Sequence, residues 1–185
     1  MADAVYTGSM MPVALHINSQ PWRGDVRAEE TLLEFVRERL RLTGTKRSCE
    51  SQVCGACTVL VDGEPISACT YLTFEASGKC VTTIEGLAPG GSLDPLQEAF
   101  IHRGAAQCGF CTAGMLLTCT ALLQAHPQPT REHIDRYLNG NICRCGAYVQ
   151  ILEAIQDVAV ARRHVRERAD GRSGRSTSER LPRPR

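Results

Sequence analysis

The sequence predicts an α+β fold in two parts, a mixed β-sheet that carries one helix and then a domain of four helices. Before residue 86, several short segments alternate apolar and polar residues, which is typical of strands with one buried face. Residues 86–91 contain three glycines and a proline, a composition typical of linkers. Beyond this stretch the apolar residues recur every three to four positions, as they do in amphipathic helices.

The first part of the chain has strand and turn signals in a regular order. Five segments have strand character: 13–17, 22–26, 58–61, 64–68 and 81–84. Turn residues separate the first two, and Asp62-Gly63 supplies a tight turn between the third and the fourth. Thr31 and Glu34 have the spacing of a capping box, which predicts a helix. The predicted buried face of this helix consists of Leu32, Leu33, Val36 and Leu40.

Helix signals dominate the second part of the chain. Asp94, Pro95 and Gln97 together predict the start of the first helix, with a cap, a first-turn proline and a capping-box partner. The other three helices are predicted at about 113–125, 130–138 and 148–165. The predicted domains are therefore 11–88 and 89–165. They are flanked by a disordered N-terminus, 1–10, and a disordered Arg-rich tail, 166–185.

Composition excludes several classes of protein. The net charge of +1 combines a tail of +6 over residues 162–185 with a body of −5, and an acidic body argues against nucleic acid as the main ligand. No segment has the roughly 18 apolar residues of a membrane span, so no membrane span is expected. The first residues lack the basic end and apolar core of a secretory signal. We expect a cytoplasmic location, where ten cysteines indicate metal or redox chemistry.

Four cysteines in the first part form a ferredoxin-type pattern. Cys49, Cys54, Cys57 and Cys69 have the spacing C-x4-C-x2-C-x11-C. The first three match the spacing of plant-type [2Fe–2S] ferredoxins, in which four thiolates converge on two irons. Gly55 would let the backbone approach the cluster closely. We expect these four residues to be metal ligands.

Four more cysteines form a second pattern in the helical part. Cys108, Cys111, Cys143 and Cys145 have the spacing C-x2-C-x31-C-x-C. Taken alone, this set is also compatible with a structural zinc ion, which takes four thiolates as well. A thioredoxin-like motif is less favoured because each C-x2-C has two further cysteines to satisfy. Cys80 and Cys119 are left over, and Cys119 is expected to be a buried free thiol because it has helical spacing with apolar neighbours.

Three motifs carry a resemblance to a known family. They are CESQVCGACTV over 49–59, QCGFCT over 107–112 and NICRC over 141–145. In this order they resemble the iron–sulfur subunit of the xanthine oxidase family of molybdenum hydroxylases, including the aldehyde oxidoreductase and carbon monoxide dehydrogenase small subunits. The resemblance covers about residues 11–165. Ser48 and Gln52 depart from it, since many members have glycine at both positions.

The resemblance implies a fold and a set of cofactors. It implies a ferredoxin-like β-grasp domain and a four-helix domain, each with one [2Fe–2S] cluster. It also implies a large subunit with a molybdenum pterin, in bacteria usually the cytosine dinucleotide form, and a medium subunit with FAD, together forming a heterotrimer. This chain would be an electron-transfer subunit of an oxidoreductase, with no catalytic residue or substrate site of its own.

The resemblance also implies an order for the clusters. In the family, the positions of Gln107 and Cys145 approach the pterin of the partner subunit. An amide side chain suits a pterin edge because it both donates and accepts hydrogen bonds, although Gln107 could instead merely cap the turn before Cys108. The cluster of the second set is then proximal to molybdenum, and the cluster of the first set is distal and faces FAD.

Two alternatives to this function remain open from the sequence. One is a free two-cluster ferredoxin that carries electrons between separate enzymes. The other is a cysteine-rich zinc protein, which the C-x4-C-x2-C loop disfavours.

Overall fold

The structure is a computed structural model that describes the backbone of residues 8–173 and the side chains of 8–168. Its first part is a five-stranded mixed sheet. The strands are β1 (Met10–Ile17), β2 (Gln20–Arg27), β3 (Thr58–Val61), β4 (Glu64–Ser67) and β5 (Cys80–Thr82). Their order is β2-β1-β5-β3-β4, in which β1 and β5 are parallel and the other neighbours are antiparallel. The α+β fold class predicted from the sequence is confirmed.

A short helix packs on this sheet between β2 and β3. Helix α1 (Leu32–Glu34) has the predicted capping box, with Thr31 and Glu34 capping each other. It continues as a π-helical turn over Phe35–Arg39, closed by a bond from the Leu40 N–H to the Phe35 carbonyl. Phe35 also lies in the core, where its ring centroid is 4.7 Å from that of Trp22 in an edge-to-face arrangement. The sequence prediction omitted Phe35, although it follows Leu32 by three positions, and placed half-buried Leu40 in the core, beyond the π-helical turn that changes the period.

Four helices form the second part, as predicted. They are α2 (Pro95–His102), α3 (Thr112–Ala125), α4 (Arg131–Leu138) and α5 (Tyr148–Ser173). Helix α3 is central, since ten of its residues are buried. One side of it joins the helical core, and the other side packs on β3, where Leu117 and Ala121 contact Leu60. The two domains therefore share a hydrophobic interface.

The last helix is longer than the sequence predicts. We expected it to end near Val165 and the disordered tail to begin at 166, but α5 continues to Ser173. Residues 166–169 (Arg, Glu, Arg and Ala) are good helix formers, whereas Asp170, Gly171 and Ser173 are not, and an Arg163–Glu167 pair lies on the helix surface. Residues 174–185 of the predicted tail, and residues 1–7 of the predicted N-terminal segment, lie outside the described residues. No helix within 8–173 has the length and apolar character that a membrane crossing requires.

Candidate iron–sulfur centres

The first cysteine set gathers around the loop that precedes β3. Cys49, Cys54 and Cys57 lie in this loop, and Cys69 follows β4, which the hairpin places beside the loop. Left-handed backbone at Glu50, Gln52 and Gly55 allows the loop to wind tightly. Cys49 is exposed, Cys54 is half-buried, and Cys57 and Cys69 are buried. The set thus has one edge at the surface and one in the core.

The thiols of the first set act on one another. Cys49 interacts with Cys54 and Cys57 with Cys69, and the charge of Cys54 also contributes to the raised pKa of Cys57. Backbone N–H groups of Ser51 and Val53 also donate to the Cys49 sulfur and lower the pKa of Cys49 to about 6. At the inner edge, burial raises the pKa of Cys57 to about 12. A bound metal cation would reverse the rise in the pKa of Cys57, since a coordinating thiol loses its proton.

The second cysteine set joins two turns of the helical domain. Cys108 and Cys111 precede α3, and Cys143 and Cys145 lie in the turn before α5. The Cys108 thiol interacts with that of Cys145, and the Cys111 thiol interacts with those of Cys143 and Cys108. Cys108 and Cys145 are exposed, whereas Cys143 is buried and Cys111 is half-buried. This set also runs from the surface to the core.

Backbone donors favour the thiolates at two positions of the second set. The Phe110 N–H donates to the Cys108 sulfur and lowers the pKa of Cys108. Burial disfavours the Cys143 thiolate. The backbone N–H groups of Ala147, Cys145 and Gly146, together with the Cys111 thiol, outweigh the effect of burial, so the pKa of Cys143 is lowered. For Cys111, burial dominates and raises the pKa to about 12.

The donor chemistry of both sets fits an iron–sulfur core. A [2Fe–2S] cluster takes four thiolates, and the fold brings four cysteines together in each set from two separate segments of the chain. Four thiolates suit a zinc ion as well, and the ferredoxin-type spacing of the first set favours the cluster.

Three further residues singled out in the sequence, Cys119, Cys80 and Gln107, are not among the eight cysteines of the two sets. Cys119 is fully buried among apolar side chains of the helical core, as expected. Cys80 is exposed on β5 and belongs to neither set. Gln107 is exposed beside Cys108 at the open edge of the second set.

Three residues near the cysteines were not predicted to have a role. The Tyr148 hydroxyl accepts a bond from the Cys143 N–H at 2.8 Å and donates to the Asn141 carbonyl at 3.2 Å, which braces the second set. Asn141 and Gly114 join the two cysteine loops. A glycine inside a helix was the one available signal for Gly114, since such a residue usually has a packing reason. Asn141 entered the sequence analysis only as the first residue of the NICRC motif, with no role of its own.

Comparison with known proteins identifies both domains. Residues 15–85 match the family model described as a 2Fe-2S iron-sulfur cluster binding domain, and residues 83–156 match the one described as a [2Fe-2S] binding domain. The chain is 45% identical over 145 residues to the nicotine 6-hydroxylase small subunit of Paenarthrobacter nicotinovorans, covering 78% of this chain and 87% of that one. It is 41% identical over 165 residues to the aldehyde oxidoreductase iron-sulfur-binding subunit PaoA of Escherichia coli, covering 81% and 72%.

A solved structure agrees with these sequence relatives. Quinoline 2-oxidoreductase from Pseudomonas putida 86 superposes with a TM-score of 0.78 at 43% identity, over 84% of this chain and 97% of the matched chain. The two family matches, one after the other along the chain, define it as a two-domain iron–sulfur protein of the [2Fe–2S] type. More specifically, the chain belongs to the family of small iron–sulfur subunits found in molybdenum hydroxylases of the xanthine oxidase family.

Proposed function

We propose that this chain is the electron-transfer subunit of a molybdenum hydroxylase complex, relaying electrons from a molybdenum pterin centre through two [2Fe–2S] clusters to FAD. The observation that carries the proposal is the presence of two complete four-cysteine sets in one chain, each brought together from two segments by the fold. The proposed partners are a large molybdenum subunit and a medium FAD subunit, and the relatives named above support partners of this kind because they too are subunits of oxidoreductase complexes. Substrate oxidation belongs to the large subunit.

The cysteines would hold the clusters, and the backbone around them would tune them. Cys49, Cys54, Cys57 and Cys69 would bind one cluster, and Cys108, Cys111, Cys143 and Cys145 the other. When bound, such a cluster accepts and releases one electron at a time. The N–H groups directed at the sulfurs of Cys49, Cys108 and Cys143 stabilise negative charge there, which is a main way in which a protein sets the reduction potential.

The open edge of the second set suits contact with the large subunit. Cys108, Cys145 and Gln107 are exposed at this edge. The segments that carry these residues also present the apolar side chains of Phe110, Ile142 and Val149, which are 48%, 47% and 61% exposed. Exposed apolar groups on adjoining segments are typical of a surface that a partner covers. We therefore assign Gln107 and Cys145 to the side that faces the pterin, and the second set to the proximal cluster.

The open edge of the first set combines the exposed Val53 side chain, at 58% exposure, with charged groups. Arg47 lies beside exposed Cys49 and forms ion pairs with Glu38 and Glu50. A charged rim of this kind suits a second, separate partner surface. We assign this edge to the FAD subunit and the first set to the distal cluster.

Purification of the native protein tests the proposal. We expect two larger subunits, molybdenum and FAD to co-purify with the chain. We also expect about four irons and four acid-labile sulfides per chain, since each [2Fe–2S] core contains two of each. A chain that purifies alone with both clusters would instead be the free ferredoxin. Zinc in place of half of the iron would overturn the two-cluster assignment.

A further inference from the structure

The loop of the first cysteine set contacts the helical domain through one buried backbone carbonyl, that of Gly55. The Asn141 side-chain amide donates to the Gly55 carbonyl at 3.3 Å, across 86 positions of sequence. The Thr118 hydroxyl holds that amide by donating to its oxygen at 3.0 Å. Thr118 and Asn141 are only 2% and 6% exposed, so these bonds are shielded from water. The polar contact between the two domains therefore has one defined geometry.

At the same contact, the backbones of the two domains are too close for a side chain at Gly55 or Gly114. A Cβ atom at Gly114, in the first turns of α3, would collide with the Gly55 carbonyl. A Cβ at Gly55, whose φ is +67°, would collide with the Gly140 carbonyl and the Asn141 amide. Only glycine lets the two backbones approach this closely. We call Gly55, Gly114, Thr118 and Asn141 the interdomain lock.

The interdomain lock lies between ligands of the two sets. Gly55 is the residue after Cys54, Gly114 is three residues after Cys111, and Asn141 is two residues before Cys143. Next to the lock, the Ile142 N–H donates to the Cys54 carbonyl at 2.9 Å. Movement in the lock would therefore change the separation of Cys54 and Cys143, one ligand from each set.

We propose that the interdomain lock consists of positioning residues that fix the distance between the two clusters and so set the rate of electron transfer between them. The proposal rests on the proposed function, because it requires both clusters. The rate of electron transfer through protein falls steeply with distance, so a small loosening has a large effect. The net contribution of the lock to stability is small, because each hydrogen bond made within the protein replaces one made to water. Its main effect is to select one geometry of the contact.

Two variants of the full chain, purified in its complex, test this inference. Asn141→Leu keeps a similar branched shape and removes both hydrogen bonds of the amide. Gly114→Ala places a methyl group against the Gly55 carbonyl. The matched control is Thr73→Val, which removes a buried threonine hydroxyl that donates to the Glu30 carbonyl at 2.9 Å inside the sheet domain.

The main readout is the spin–spin splitting of the EPR signals when both clusters are reduced, because this splitting depends on their distance. We expect it to weaken or disappear in both lock variants at wild-type iron content, with several-fold slower electron redistribution between the clusters. Thr73→Val should keep the wild-type splitting and rate. An unchanged splitting and rate in iron-loaded lock variants would overturn the proposal.

A milder variant covers the case in which a lock variant loses iron. Thr118→Val leaves Asn141 in place and removes only the hydroxyl that orients its amide. We expect a broadened splitting and faster hydrogen exchange at the Ile142 amide, and unchanged values of both would refute the proposal. Failure of the proposed function has a different signature, since the wild-type chain would then lack two EPR signals or the partner subunits.

Discussion

At the scale of single residues, the first cysteine loop contains backbone strain that the side chains do not require. Gln52 has a φ of 60°, in the left-handed region that glycine adopts freely, and many relatives in the resembling family have glycine there. Its side chain gains only one exposed bond, from the Thr70 hydroxyl at 3.2 Å. The strain is therefore only partly offset.

Replacing this residue should stabilise the loop. We expect Gln52→Gly to raise the free energy of unfolding by about 0.5–1 kcal/mol, because relief of the left-handed strain exceeds the lost surface bond. Anaerobic urea unfolding of the iron-loaded chain measures it. The matched control is Ser51→Gly, since Ser51 is the neighbour outside the left-handed region. A loss of stability in Gln52→Gly, as large as in the control, would contradict this account.

A second prediction at this scale concerns the thiol that belongs to neither cysteine set and is buried. Burial raises the pKa of Cys119 well above its usual range, so the reactive thiolate forms only at more alkaline pH than for an ordinary thiol. In the folded, iron-loaded protein we expect iodoacetamide to leave Cys119 unmodified from pH 7 to about pH 10. Exposed Cys80 should be modified and serves as the internal control, with peptide mass spectrometry as the measurement. Equal labelling of both would show that the burial of Cys119 is not maintained in solution.

At the scale of elements, we expect the packing of α3 on β3 to make the two domains unfold together. Leu117 is fully buried against Leu60 at this interface, whereas Leu122 is fully buried inside the helical core. We expect Leu117→Ala to lower the free energy of unfolding by about 2–5 kcal/mol and to split one thermal transition into two. Leu122→Ala is the matched control, which should cost a similar amount and keep a single transition. Calorimetry of both variants decides, and a single transition in Leu117→Ala would refute the coupling.

The elements also show what sequence reasoning can reach. The capping residues Thr31, Asp94 and Thr130 begin helices as predicted, because caps and periodicity are local signals. The π-helical turn at Phe35–Arg39 was missed, since it changes the period within one turn. The end of α5 was placed too early because the prediction required a core, whereas a helical extension can rest on propensity and surface pairs.

The site was predictable to a similar depth. Cysteine spacing indicated both ligand sets, because thiolates from one turn must have fixed separations to share a metal core. Spacing could not show how each set comes together in space, which depends on the position of Cys69 after β4 and of Cys145 before α5. It also could not show the contact of Asn141 with Gly55, since residues 86 positions apart leave no local pattern.

At the scale of the whole molecule, the two open edges predict different outcomes when each cluster is lost. In the assembled complex, we expect Cys49→Ala to let substrate reduce the remaining proximal cluster, while electrons fail to reach FAD. Cys108→Ala should block both steps. Rapid-mixing EPR and FAD absorbance measure the two steps, and Cys80→Ala is a control that removes an exposed cysteine outside both sets. Normal reduction of the distal cluster in Cys108→Ala would reverse the assigned order.

The link between Gly55 and Asn141 also has a consequence for biosynthesis. A ribosome adds about 5–20 residues per second, so the 86 residues between the two partners take roughly 4–17 seconds to synthesise. During that interval the first cysteine loop has left the ribosome without the helical wall that will enclose it. All four cysteines of the first set precede residue 70, so the nascent sheet domain already carries the complete ligand set in this interval. A cluster acquired then would be exposed to solvent on the side that the helical domain later covers, and its loop would reach its final geometry only when Asn141 meets Gly55.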